Sequence, residues 1–153
     1  MDIGAGALFE RLREAPVAPE GGHGATAFTE FVSEITAAGA APGLGDLLNR
    51  HAVQNLLSGV FESSPYLSAL VRRDPVRLLR CLASNPETES ERLKQALVAD
   101  MAIASDAAAA KRILRGFKNS IALLTALADA GGGWPVMTVT RVLSDAADTA
   151  VSS

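Results

Sequence analysis

Cysteine, histidine and aromatic residues are scarce in this chain. Its 153 residues include one cysteine, Cys81, and two histidines, His23 and His51. A single cysteine excludes an internal disulfide and fits a reducing compartment. Neither histidine has a third nitrogen, sulfur or carboxylate at metal-ligand spacing, so no metal site is expected. Aromatics make up only 5%, and the β-branched and aromatic runs that mark strands are nearly absent. No stretch reaches the ~20 uninterrupted apolar residues of a membrane span. "MAIASDAAAA" comes nearest, but Asp106 interrupts it and Lys111 and Arg112 follow. The opening "MDIGAGALFERLRE" has neither a basic start nor a continuous apolar run, and so does not read as a secretory signal. The net charge of −3 gives no general attraction for nucleic acid or an anionic membrane. A cytoplasmic protein is expected, with neither nucleic acid nor membrane as partner.

Hydrophobic residues, mostly alanine and leucine, supply 48% of the chain. Small apolar side chains at helical spacing point to closely packed helices. The expected fold is all-α, a bundle of about six to seven helices. The length suits one core. Residues 1–44 read as a weakly ordered extension with one or two short helices, because Pro16, Pro19 and "EGGHG" punctuate it. Residues 45–153 read as the helical domain proper.

Along the chain, a short helix is expected around Ala5–Glu14 and a second over Thr26–Ala38, with Phe28, Phe31, Val32 and Ile35 on one face. Asp46 is expected to cap a helix running to about Ser63. Then "SSPYLSALVRRDPVRLLRCL" places a proline after Ser64 and another after Asp74. Proline at the first helical position loses nothing, because its missing N–H would be unpaired there. It also pushes the residue before it out of the α region, which suits a cap. Two short helices follow, Pro65–Arg73 and Pro75–Ala83. Tyr66, Leu67, Leu70 and Val71 should line the first, and Val76, Leu78, Leu79 and Leu82 the second. A helix is expected from Thr88 or Ser90, carrying Leu93, Leu97, Val98, Met101 and Ile103. The longest, Ala107–Ala130, should be capped by Ser105 or Asp106 and stopped by "GGG". A last helix should start after Trp134–Pro135, with Val136, Val139, Leu143, Ala146 and Ala150 inward. "DTAVSS" has no stop signal, and the helix reads as one cut short.

Few residues suggest chemistry. His51, on an apolar helix, reads as a partly buried histidine. Cys81 sits among Leu78, Leu79 and Leu82 and reads as a small buried hydrophobe rather than a nucleophile. Asp145 and Asp148 share a helical face and could hold Mg²⁺, but two such acids on an amphipathic helix read more simply as solvated. "GGGWP" lacks the lysine and Ser/Thr of a phosphate loop. Lys111, Arg112, Arg115 and Lys118 form the one basic cluster of note. They are either a solvated face paired with neighbouring acids or an electrostatic contact face for an acidic partner or a nucleotide phosphate. No residue is assigned a catalytic, cofactor-binding or metal-binding role.

The order of motifs carries more. "SSPYLSALVRRDPVRLLRCL" is followed by "AAAAKRILRGFKNSIALLTALADAGGGWPVMTVTRVLSDAADTAV". Together they resemble the N-terminal region of bacterial glutamine synthetase adenylyltransferases, most closely the alphaproteobacterial forms. Leu114, Arg115, Phe117 and Lys118 fit the start of that family's pattern. Ala126, Leu127, Ala128, Asp129, Gly132 and Trp134 continue it, and Val136, Val139, Thr140, Leu143, Ser144, Ala147 and Asp148 complete it. The resemblance covers about residues 45–153. It implies a parent enzyme that uses ATP and Mg²⁺ to place AMP on a tyrosine of glutamine synthetase, and phosphate to remove it. It also implies, as partners, the nucleotidyltransferase domains of the parent chain, glutamine synthetase and, further off, a PII signalling protein.

In that family the Mg²⁺-holding aspartates stand on a strand after a glycine turn, in an "S-D-I-D-L"-type motif. That motif is absent here. "VLSDAADTA" contains "SDAAD", but on a helical pattern, so no catalytic role passes to Asp145 or Asp148. The expectation is an inactive helical scaffold ahead of an absent nucleotidyltransferase domain. The rival is a stand-alone helical interaction module that shares only a helix pattern with the family.

Overall fold

The computed structural model describes residues 6–13, 15, 22–132 and 136–152. Among them there is no strand, and eight α-helices follow a 3-10 turn at Leu8–Glu10. In chain order the helices are α1 (His23–Ala38), α2 (Leu44–Leu48), α3 (His51–Ser63), α4 (Pro65–Arg73), α5 (Pro75–Ala83), α6 (Pro86–Ala102), α7 (Ala107–Ala130) and α8 (Val136–Ser152). The all-α expectation is met.

The proline-started helices form as the sequence dictates. Ser64 Oγ accepts the Leu67 N–H at 3.2 Å and Asp74 Oδ1 accepts the Arg77 N–H at 3.2 Å. A third such start lies at least two residues ahead of the expected one. The helix expected from Thr88 or Ser90 begins at Pro86, because the Asn85 side chain accepts the Thr88 N–H at 3.0 Å. Of the two caps considered for α7, Asp106 is the one used, accepting the Ala109 N–H at 2.8 Å. At its other end Gly132 takes a left-handed φ of 70°, which costs glycine little.

The helix expected from Asp46 to Ser63 is two helices. Arg50 is extended, with φ −77° and ψ 130°, and separates α2 from α3. The Gln54 side chain donates to the Leu48 carbonyl at 3.0 Å, satisfying a group that a continuous helix would have bonded internally. Asp46 therefore lies within the first turn of α2 and is not its cap.

α1 packs along α3, α6 along α7, and α8 against both α6 and α7. The main core joins Leu8 and Phe9 with Phe28, Phe31 and Ile35 of α1, Leu56, Leu57 and Val60 of α3, Leu78 and Leu82 of α5, and Leu123, Leu124 and Leu127 of α7. Phe31 and Phe61 meet edge to face, with centroids 5.6 Å apart. The N-terminal segment is tied down by two backbone bonds, Leu8 N to Ser84 O at 3.0 Å and Arg13 N to Gly131 O at 2.7 Å. A smaller cluster, Leu97, Phe117, Ile121 and Ala146, holds α6, α7 and α8 together.

Several expected inward residues face out. Tyr66, Val76, Val98 and Ile103 are exposed. Among the described side chains of α8, Val142 and Ala146 are buried, while Leu143 is about half exposed (47%). The inward stripe of α8 thus runs Val139, Val142, Ala146 and Ala150, one position off at Leu143. Trp134, Pro135 and the side chain of Val136 lie outside the described residues, as do Ala5 and Glu14.

Candidate functional site

Two hydrogen bonds dock the short helices on α7. Tyr66 Oη bonds Asn119 Oδ1 at 3.2 Å from α4, and Arg77 Nε donates to Ser120 Oγ at 3.1 Å from α5. The second bond brings α5 alongside the α6–α7 pair, and a groove of about 280 Å³ opens where the three helices meet. Arginines enter it from every side: Arg77 and Arg80 from α5, Arg92 from α6 and Arg112 from α7. Its floor is apolar, with Leu93, Leu97, Ile113 and Phe117, and Asp100 is the one acid lining it. A smaller recess of about 150 Å³ adjoins it, lined by the same Arg77, Arg80 and Arg92 together with Asp74 and Glu89.

These arginines differ in how fully they are engaged. Glu89, itself buried, accepts from Arg92 twice, at 2.9 and 2.6 Å. That pair of hydrogen bonds raises the pKa of Arg92. Asp74 lies 3.9 Å from Arg77. Arg80 and Arg112 are exposed and form no ion pair among the described residues.

Of the four cations singled out from sequence, two line different grooves. Arg112 turns into the arginine-lined groove, whereas Lys118 borders a different, apolar groove of about 230 Å³ between α7 and α8. Lys111, Arg115 and Lys118 are exposed and form no ion pair among the described residues. Periodicity along one helix could find these four; it could not find Arg77, Arg80 and Arg92. They lie on other helices, and their convergence with Arg112 depends on how α5 and α6 dock.

The remaining candidates stay apart. Cys81 is buried beneath the recess, and burial, with Glu89 adding to it, pushes its thiol up to about 12. Such a thiol is not a nucleophile near neutral pH. His51 is exposed rather than partly buried, because it opens α3 at its first turn. His23 Nδ1 lies 3.4 Å from Glu62. Asp145 and Asp148 are exposed on α8. No group of three or more His, Cys, Asp or Glu able to hold a metal ion occurs among the described residues. The donor set among the described residues does not fit a resident Mg²⁺. No helix among the described residues is long and apolar enough to cross a membrane.

Comparison with known proteins gives a consistent picture. Residues 54–153 match the family model described as glutamate-ammonia ligase adenylyltransferase. A bifunctional glutamine synthetase adenylyltransferase/adenylyl-removing enzyme of Bradyrhizobium diazoefficiens is 40% identical over 146 residues, covering 95% of this chain and 15% of the relative. A protein of the same description from Rhodopseudomonas palustris strain HaA2 is 50% identical over 91 residues, 60% of this chain and 9% of that one. One from Xanthobacter autotrophicus is 36% identical over 141 residues, 92% and 14% respectively. The chain thus spans at most about 15% of the length of these relatives. No solved structure matches.

Proposed function

The chain belongs to the glutamate-ammonia ligase adenylyltransferase family, and on that premise we propose that it is the helical region ahead of a nucleotidyltransferase domain in a bifunctional cytoplasmic enzyme. That enzyme adds AMP to a tyrosine of glutamine synthetase and removes it, with ATP and Mg²⁺ held by the domain that carries the chemistry. The observation that carries this reading is the family match over residues 54–153. It falls on a segment whose described elements are all helical, whereas the family's catalytic aspartates stand on a strand.

The segment's own part is structural. The apolar α7–α8 groove, with Phe117, Ile121, Leu143 and Ala146, offers a surface for packing against the rest of the parent chain. Lys118 at its border, with Lys111 and Arg115 exposed further along α7, offers an electrostatic contact for an acidic partner, glutamine synthetase or a PII signalling protein. Incubation of the 153-residue chain with glutamine synthetase, labelled ATP and Mg²⁺ tests the assignment. The expected result is no label above background. Label transfer would show that the chain carries chemistry of its own and overturn the scaffold reading.

A further inference from the structure

We propose that the groove between α5, α6 and α7 binds a phosphate monoester, its phosphoryl oxygens on Arg80 and Arg112 and its organic part on the apolar floor. The placement of the charges is the first argument. Arg77, Arg80, Arg92 and Arg112 come from three helices to one groove that contains a single acid, Asp100. Arg92 is neutralised by Glu89, and Arg77 is engaged by Ser120 and Asp74. Arg80 and Arg112 keep their donors for a ligand, and neither has an ion pair among the described residues. Guanidinium groups match phosphate through paired N–H donors, and two of them balance the charge of a phosphate monoester, near −2.

The second argument is Gly116, which lines the groove in mid-helix. A Cβ there would meet nothing within 4 Å, so close packing does not require a glycine. Glycine inside a helix costs about 1 kcal/mol relative to alanine. Its effect here is to keep the groove floor clear. Arg112 precedes Ser120 on α7 by about 12 Å at 1.5 Å per residue. The groove is therefore longer than a bare ion needs, and Leu93, Ile113 and Phe117 line it.

Inorganic phosphate and phenyl phosphate, titrated calorimetrically into the 153-residue chain, serve as probes. Phenyl phosphate should bind, and more tightly than inorganic phosphate. Arg80→Ala and Arg112→Ala should each weaken it at least about tenfold. Gly116→Leu, which fills the floor without touching a charge, should do the same. Lys111→Ala and Lys118→Ala, equal changes of charge on α7 outside the groove, should leave it unchanged. Circular dichroism confirms that each variant folds. Binding that survives Arg80→Ala and Arg112→Ala, or falls equally in the lysine variants, overturns the site. Equal affinity for the two probes overturns the part played by the apolar floor. Absence of binding by both probes overturns the proposal entirely.

Discussion

Glu62, near the end of α3, caps α1: its Oε2 accepts the Gly24 N–H at 2.6 Å. The residue before α1, Gly22, has no side chain to offer, so the cap comes from across the helix pair. The approach is close enough that a Cβ on Gly24 would collide with the Ser58 carbonyl and lie 2.8 Å from Glu62 Cβ. Gly24→Ala should therefore destabilise by ~1–3 kcal/mol, since overpacking outweighs the ~1 kcal/mol of helix propensity gained. Gly116→Ala, in open space, should stabilise by up to ~1 kcal/mol. Urea melts of both variants decide it. The same sign for the two would refute this account of Gly24.

The caps and the core of the proline-started helices should separate by size. Asp74→Ala loses the hydrogen bond to Arg77 N and should cost ~1 kcal/mol. Leu79, buried in α5, should cost ~2–5 kcal/mol on truncation to alanine. A larger loss for Asp74→Ala would show that packing matters less here than capping.

Cys81 links stability to alkaline pH. Its thiol titrates at about 12 when folded, against 9.0 as its ordinary value. The neutral form is favoured in the fold, so the stability this provides is fully present below pH 9.0. Between 9.0 and about 12 the unfolded chain has released the proton that the folded chain keeps. Stability should fall there by about 1 kcal/mol per pH unit on this account alone. Cys81→Ala should remove that part of the slope. Parallel pH profiles for the two proteins would refute it.

Thr125 is buried on α7, and its Oγ1 has no hydrogen-bond partner among the described residues. A buried hydroxyl left unpaired costs ~1–3 kcal/mol. Thr125→Val keeps the shape and removes the hydroxyl, so it should be neutral or raise the melting temperature. A marked fall would mean that the hydroxyl has a partner in solution.

Local chemistry made much of this molecule legible from the sequence. Ser64–Pro65 and Asp74–Pro75 stop one helix and start the next with groups contained in four residues, so no distant contact is needed to read them. The long α7, its Asp106 cap and its glycine end follow from the same short-range rules. What those rules missed depends on other helices. The break at Arg50 has no proline or glycine to announce it and is held by Gln54 reaching back to Leu48. The register of α8 turns on whether Val142 or Leu143 is the one buried, and an apolar pair leaves that choice to packing. The arginine groove is the clearest case. Arg77, Arg80, Arg92 and Arg112 are spread over three helices, and periodicity relates only residues on one helix. Side-chain spacing within a helix is set by its pitch, but spacing between helices is set by how their apolar faces dock. The helices could therefore be read from the sequence, while the convergence of arginines between them was decided by the tertiary structure.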